Sequence, residues 1–440
     1  MHNKIGKLPR SIIYTVWFML IIPVILIGYQ AQAHPAPNNL SWSTPMYVST
    51  NANNGAFIPN LVIDSTGHHS IIYTQRVGSI SNPYIATSGN GTSWSTPAAV
   101  YQSDTNSYEA KAVIDNNDII HAIWRVEGAS LDQIYYSNST RWDAGDPPVM
   151  IRFTFGENNK LASPNIAVDP EDGTVHAAWV IVENSVGKVE HSLSFNNGAN
   201  WQAPTVPANS ADQSAVDVTI AITINELQQH IVHIAWQENI LNLETSTLAR
   251  KVIYQQGRVN GTNIDWNGLS HVFFEDDPNP YIKPQLLADG ADLHIGFTRR
   301  NSLSEQYAFY SFLGDGLIWD TPTQINPTAL AVNDLDPNAL STSLIRCDGA
   351  LHMAYHGMEP ASINQTERIW VTQKSESGSW ALSSAATATD ARYINPSFAC
   401  YDDSLYMAVE RIVSTELQNH QIYYIAGSGN ITYMPSIFNK

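Results

Sequence analysis

Arginines and glutamates recur just beyond a repeated strand pattern, His-x-x-aromatic. In successive copies these residues are Gln75-Arg76, Arg125, Gln237-Glu238, Arg299-Arg300, His356 and Glu410-Arg411. The chain has only 22 Lys and Arg against 40 Asp and Glu, so several arginines at one structural level point to an anionic ligand. A guanidinium is planar and forked, which suits the carboxylate or sulfate of an acidic sugar. The candidate ligand-binding set is therefore Arg76, Arg125, Glu238, Arg299, Arg300, His356, Glu410 and Arg411. Glu238 and Glu410 are also the carboxylate pair that glycoside hydrolysis would need, if the fold brings them together. The competing account is that these residues cap strands and pair with acids in the loops.

Other constellations carry less. His121, His176, His233, His294 and His352 open successive copies of the pattern. One imidazole per repeat at a common radius cannot converge on an ion with bonds of about 2 Å. Each histidine lies three positions before its aromatic, an odd spacing that puts the two on opposite faces of a strand and makes packing between repeats the expected role. The acidic turns Asp169 to Asp172, Asp276-Asp277, Asp334 to Asp336 and Asp402-Asp403 could hold calcium, but none has the spacing of an EF-hand loop. We assign neither metal nor cofactor. No glycine-rich phosphate loop opens a helix, and Gly427-Ser428-Gly429 lacks the spacing of a nucleophile elbow. The two cysteines, Cys347 and Cys400, are too few and too distant for a zinc or Cys-x-x-Cys redox site. They occupy similar places in adjacent repeats, so a disulfide between neighbouring inner strands and a pair of buried thiols both remain open.

The elements that position these side chains repeat every 50 to 60 residues. Each unit opens with a short apolar strand, as in Pro59–Asp64, Pro164–Asp169 and Pro284–Asp289, followed by a turn of Gly, Asp and Asn. The His-x-x-aromatic strand comes next, then a strand rich in Tyr and Ile, then a polar turn ending in an aromatic and a fourth strand. β-Branched and aromatic residues dominate, and helical periodicity is absent after the first 33 residues. The expectation is an all-β propeller of about seven four-stranded blades, with six as the alternative. Fourth-strand aromatics number one more than the seven units, because Trp42 in Leu40–Pro45 closely copies the strand at Thr92–Pro97. A ring must hide its open edges, so Ser41–Val48 is expected to supply the outer strand of the last blade. The weaker copy at Ile431–Met434 would add to that edge or stay outside the ring.

The turn before the fourth strand resembles the Asp-box, Ser-x-Asp-x-Gly-x-x-Trp. Ser194-Phe195-Asn196-Asn197-Gly198-Ala199-Asn200-Trp201 matches it with Asn for Asp. Shorter copies lie at Ser88–Trp94, Ser137–Trp142, Gly314–Trp319 and Ser375–Trp380. On these motifs the chain is similar to the sialidase-like, Asp-box (BNR repeat) propellers, whose ligands sit over the channel at the second-to-third-strand loops. The box itself is a folding device: a polar side chain caps backbone N–H groups and Gly takes φ > 0. Sialidases of that group open their first blade with Phe/Tyr-Arg-Ile-Pro. Here Ala56-Phe57-Ile58-Pro59 puts Phe57 in the arginine's place, and no acid lies between Asp64 and Asp104 to serve as acid/base. Tyr393, beside Arg392, is the one loosely placed nucleophile. The resemblance thus implies a glycan- or protein-binding module more than an enzyme, with a divergent glycosidase acting on acidic glycans as the alternative.

Residues 1–33 begin with Lys4, Lys7 and Arg10, continue with an apolar run from Ile12 to Gly28, and end in Ala31-Gln32-Ala33. This reads as a signal peptide, with an uncleaved membrane anchor as the alternative, followed by a single domain over 34–440. The protein is then secreted or attached to the cell surface, and its one contact with a membrane would be through a retained leader. The net charge of −18 repels nucleic acid, so the expected partner of a monomeric propeller is a glycan or an extracellular protein.

Overall fold

In the computed structural model the described residues are 40–49, 55–207, 214–242, 247–273, 281–300, 305–314, 318–325, 330–331, 341–358, 367–375, 378–388, 390–413 and 420–428. They form a propeller of seven blades. The first blade runs outward through Ala56–Ile63, His69–Val77, Ile80–Ser88 and Ala98–Ala99, all antiparallel. The others begin with inner strands Asn106–Ile114, Lys160–Val168, Ser214–Ile224, Tyr281–Asp289, Thr342–Cys347 and Arg392–Tyr401. Leu330–Ala331 bridges blades 5 and 6 by pairing with Glu305–Gly314 and with Ala350–Met358. Ring closure follows the expectation: Ser41–Trp42 and Met46–Tyr47 both pair with His420–Ser428, the third strand of the last blade. Ile431–Met434 lies outside the described residues.

Burial explains why a ring is needed. Each strand alternates side chains between two faces, and each blade is apolar on both. The cores lie between blades. Trp124 and Ile72 fill the seam between blades 1 and 2, Tyr136 and Trp179 the next, and Tyr73 and Ile422 the seam between blades 1 and 7. All seven seams hold such a core.

The repeated histidines stand in these seams, on the face opposite the aromatic. The His121, His233 and His294 imidazoles bond the hydroxyls of Tyr136, Tyr254 and Tyr310 at 2.7, 2.7 and 2.8 Å. Each tyrosine then meets the tryptophan of the following blade edge-on, Trp201, Trp319 and Trp380, at 5.0–5.2 Å. In the Asp-box at Ser194, the serine Oγ accepts from Gly198 N at 2.9 Å and Asn196 Oδ1 accepts from Asn200 N at 2.9 Å. Gly198 has φ 77°, and a Cβ there would lie 1.8 Å from the Tyr136 ring, so the glycine is what lets the relay pass between blades. The copy at Ser137–Trp142 departs from the box: Ser139–Ala144 forms one short helix, capped by the Asn138 side chain. Cys347 and Cys400 form a disulfide with a Cα separation of 5.6 Å, joining the inner strands of blades 6 and 7.

Candidate functional site

Among the described residues the inner strands of six blades are each broken at one place, and that break builds the site. Register slips between Phe57 and Asn60, Tyr108 and Lys111, Ala162 and Asn165, Val216 and Thr219, Ile282 and Gln285, and Ile394 and Ser397. Each slip is a β-bulge, and one residue in each takes positive φ: Ile58, Glu109, Ser163, Asp217, Lys283 and Asn395. All six line a central cavity of about 810 Å³. The bulges are tied around the ring: Ser163 N donates to Glu109 Oε2 at 2.8 Å, Asp217 N to Ser163 Oγ at 3.2 Å, and Ile58 N to Glu410 Oε2 at 3.0 Å. Side chains and backbone of neighbouring blades thus hold each other in the strained conformation.

Register also decides which candidates reach the cavity. Thr74, Arg125, Gln237, Thr298 and Glu410 stand opposite the last residue before their bulges, so they share one position. Arg125 and Glu410 line the cavity, as do Arg76 and Glu127, which lie two residues further along their strands. Glu238, Arg299 and Arg411 come one residue after that position, where period two sends a side chain elsewhere, and none of them lines the cavity. This corrects the expectation that all the candidates share one face. Glu238 is 1% exposed in a seam, and Arg411 pairs with Asp390 at 2.9 Å and Tyr423 Oη at 3.2 Å. His356 has the favourable parity but is wholly buried, away from the cavity lining. Burial, then Lys283 and Arg392, push its imidazole down to about 3, so it is neutral. The Arg300 side chain lies outside the described residues. Tyr393 is also buried in a seam, and burial first, then Asp390, raises its hydroxyl to about 12, which removes the nucleophile candidate.

The candidates that do line the cavity differ in availability. Arg125 is committed: it pairs with Glu127, donates to Leu161 O at 3.0 Å and lies over the Tyr108 ring. Lys160 shares Glu127 at 3.1 Å; these two cations outweigh burial and hold that carboxyl below its usual range. Glu410 is saturated by Ile58 N, by Asn395 Nδ2 at 2.9 Å and by His420 Nδ1. Arg76 donates Nε to Gly78 O at 3.1 Å and has no carboxylate partner among the described residues. Its terminal nitrogens are therefore the uncommitted donors.

Four lining residues were missed as ligand contacts: Lys111, Lys283, Arg392 and His420. Lys111 is pushed down to about 8, first by burial and then by the like charge of Lys283, with Glu109 and Asp217 opposing. Arg392 pairs with Glu367, its Nε at 2.7 Å. A signal for Lys283 was present. In Ile58-Pro59, Ser163-Pro164, Lys283-Pro284 and Asn395-Pro396 the residue before proline is the bulge residue.

Metal ligation is no better supported than before. Among the described residues Asp169, Asp172 and His230 form the one cluster of three potential ligands. His230 Nδ1 is hydrogen-bonded to Asp169, which ties blade 4 to blade 3 and raises the imidazole pKa. Asp402 and Asp403 form a turn with φ 47° and 56°. Asp276-Asp277 and Asp334 to Asp336 lie outside the described residues.

No family model and no curated protein matches this chain. Solved structures do. An ulvan lyase, a polysaccharide lyase, bound to -[GlcA(1-4)Rha3S]- aligns at 13% identity over 86% of this chain and 95% of that one, with a TM-score of 0.55. A protein of unknown function from Dyadobacter fermentans aligns at 9% identity over 88% and 100%, with a TM-score of 0.50. The NanB sialidase of Streptococcus pneumoniae gives 11%, 90% and 71%, with a TM-score of 0.48. Likeness at such identities shows the fold alone.

Proposed function

We propose that this chain is an exported propeller that binds an acidic glycan in its central cavity, with Arg76 as the principal anchor. The observation that carries the reading is the sorting of charge. Five cations, Arg76, Lys111, Arg125, Lys283 and Arg392, line one cavity with four carboxylates, Glu109, Glu127, Asp217 and Glu410, a local balance on the positive side in a chain whose net charge is −18. Arg125 and Arg392 are bound to carboxylates, so Arg76 is the guanidinium left to meet the ligand, with Lys111 adding its charge. A cavity of about 810 Å³ is a volume for a few sugar residues and not for the flat face of a protein. The ulvan lyase of like fold, bound to -[GlcA(1-4)Rha3S]-, supports an acidic sugar. Export rests on the leader and fits the Cys347–Cys400 disulfide, which persists in oxidising compartments. The carboxylate pair named for a glycosidase, Glu238 with Glu410, is not assembled, so a hydrolase of that design is not carried further.

Titration calorimetry against uronate-bearing, sulfated and neutral oligosaccharides tests the reading. Saturable heat is expected from the first two alone. Arg76→Ala removes charge-assisted bonds of about 1.5–3 kcal/mol and weakens binding roughly 10- to 100-fold. Equal binding of neutral and acidic sugars, or no binding at all, overturns it.

A further inference from the structure

His420 and Glu410 are cross-strand neighbours at the junction of blades 7 and 1, and both line the cavity. The Glu410 carboxylate can only accept, so the imidazole nitrogen it meets, Nδ1, carries the proton. That fixes the tautomer and leaves the lone pair on Nε2, which has no protein partner among the described residues. The support behind Glu410 is extensive. Its other oxygen accepts from Asn395 Nδ2 at 2.9 Å and from Ile58 N at 3.0 Å. Ile58 is β-branched with φ 52°, a conformation such a residue rarely adopts, and it aims its N–H at this carboxylate. The Phe57 ring packs against the imidazole at 5.0 Å. The result is a base oriented by a buried acid, which is the arrangement general-base catalysis requires.

We propose that His420, positioned by Glu410, removes the proton α to the carboxylate of a uronate held in the cavity, so that the protein cleaves its glycan by β-elimination. This rests on the acidic-glycan reading above and adds a reaction to it. Nε2 takes the proton from C5 of a 4-linked uronate. The C5–H electron pair becomes the C4=C5 double bond, and the C4–O bond to the neighbouring sugar breaks. The departing oxygen takes a proton from water, and the imidazolium returns its proton to the hydroxide, so nothing is oxidised or reduced and no water is consumed. A cation on the substrate carboxylate makes that carbon acid stronger. Arg76, with its terminal nitrogens uncommitted, belongs to the strand paired with that of Phe57 and lines the same cavity as His420. Hydrolysis would instead need two available carboxyl groups. Glu410 is saturated, Glu127 is shared by Arg125 and Lys160, and Glu109 holds Ser163 N, which leaves Asp217 as a single uncommitted carboxyl among the described lining residues, one short of a pair.

The test pairs two measurements on the full chain: calorimetric binding, and the ultraviolet absorbance of the conjugated C4=C5 bond, with pectate, alginate, glucuronan and heparan sulfate as probes. At least one polymer that binds is expected to give unsaturated ends. His420→Ala should lower kcat by about 10²- to 10⁴-fold while binding stays within about twofold; His420→Gln serves if the first variant melts early. Glu410→Gln should lower kcat less and shift the acid limb of its pH profile, with KM unchanged, as a positioning residue would. Polymers that bind without unsaturation overturn the dyad and leave the binding reading intact. New reducing ends without the double bond, or full turnover by both His420 variants, also overturn it. Absence of any binding overturns both readings.

Discussion

Glu410 and Glu238 are the same residue type, each within a step of the same point in the strand repeat, and both are about 2% exposed or less. Their surroundings are opposite. Glu410, at the junction of blades 7 and 1, receives a backbone N–H, an amide and an imidazole. Glu238, in the seam of blades 3 and 4, receives the Trp236 indole at 3.0 Å, and its Oε1 has no hydrogen bond. Burial accordingly pushes Glu238 up to about 7. Glu410 stands opposite Ile394, the last residue before the bulge, whereas the residue so placed in blade 4 is Gln237. One residue of register separates an oriented carboxylate in the cavity from an uncompensated one in a core.

The sharpest way to break this comparison is to delete both carboxylates. Glu410→Ala strands the Ile58 N–H, the Asn395 amide and the His420 ring in a buried site, at an expected cost of about 3–5 kcal/mol in denaturant unfolding. A cost under about 1 kcal/mol would mean that the network is not structural. Glu238→Gln should act in the other direction. Its native pKa of about 7 lies above the usual 4.5, so the native state holds the proton after the unfolded chain has released it. The stability it lends is complete below pH 4.5 and is lost as pH rises through about 7, to a ceiling of about 3 kcal/mol. Glutamine keeps an acceptor for Trp236 and has no charge to bury. The variant should therefore gain on wild type between about pH 5 and about pH 8 in thermal melts. A gap that stays constant over that range would show that Glu238 is not the titrating group.

Parity makes a third prediction, on binding. Arg299 and Arg411 occupy the Glu238 phase of their strands, so Arg299→Ala and Arg411→Ala should change acidic-glycan affinity by less than about twofold, against roughly tenfold or more for Arg76→Ala. Comparable losses in all three calorimetric titrations would contradict the assignment of the cavity face.

The blade count, the radial packing and the closing strand were legible because apolar strands of fixed period must be covered on both faces, and Ser41–Val48 carries an unmatched copy of the outer strand. The histidine role was legible from odd spacing to Trp124, Trp179 and Trp236. Arg76, Arg125 and Glu410 do reach the cavity, whereas the faces of Glu238, Arg299 and Arg411 were misjudged. Residues after the second strand were grouped by distance along the chain, where period two requires counting from the bulge. The bulges themselves were visible only as prolines, and the proline says nothing of the hydrogen bonds that Ser163, Glu109 and Glu410 make around the ring. His420 carried no signal at all: its partner Glu410 stands ten residues before it on a neighbouring strand. Lys111 likewise reads as an ordinary strand lysine until the ring places Lys283 near it.

That lysine gives the smallest and most specific expected effect. Lys111 stays charged below about 8, and a lysine in water would stay charged to about 10.5. An anion in the cavity gains its charge in the lower range and loses it as pH rises through about 8, where Arg76 remains charged. Affinity for an acidic oligosaccharide should therefore fall roughly three- to tenfold between about pH 7 and about pH 9, about tenfold being the most that the loss of one lysine's charged fraction over that range allows. Lys111→Met should bind weakly and almost equally at both values, because the remaining guanidinium does not titrate there. If Lys111→Met keeps the alkaline fall, the titrating cation lies elsewhere, and Lys283, on the neighbouring bulge, is the next to replace.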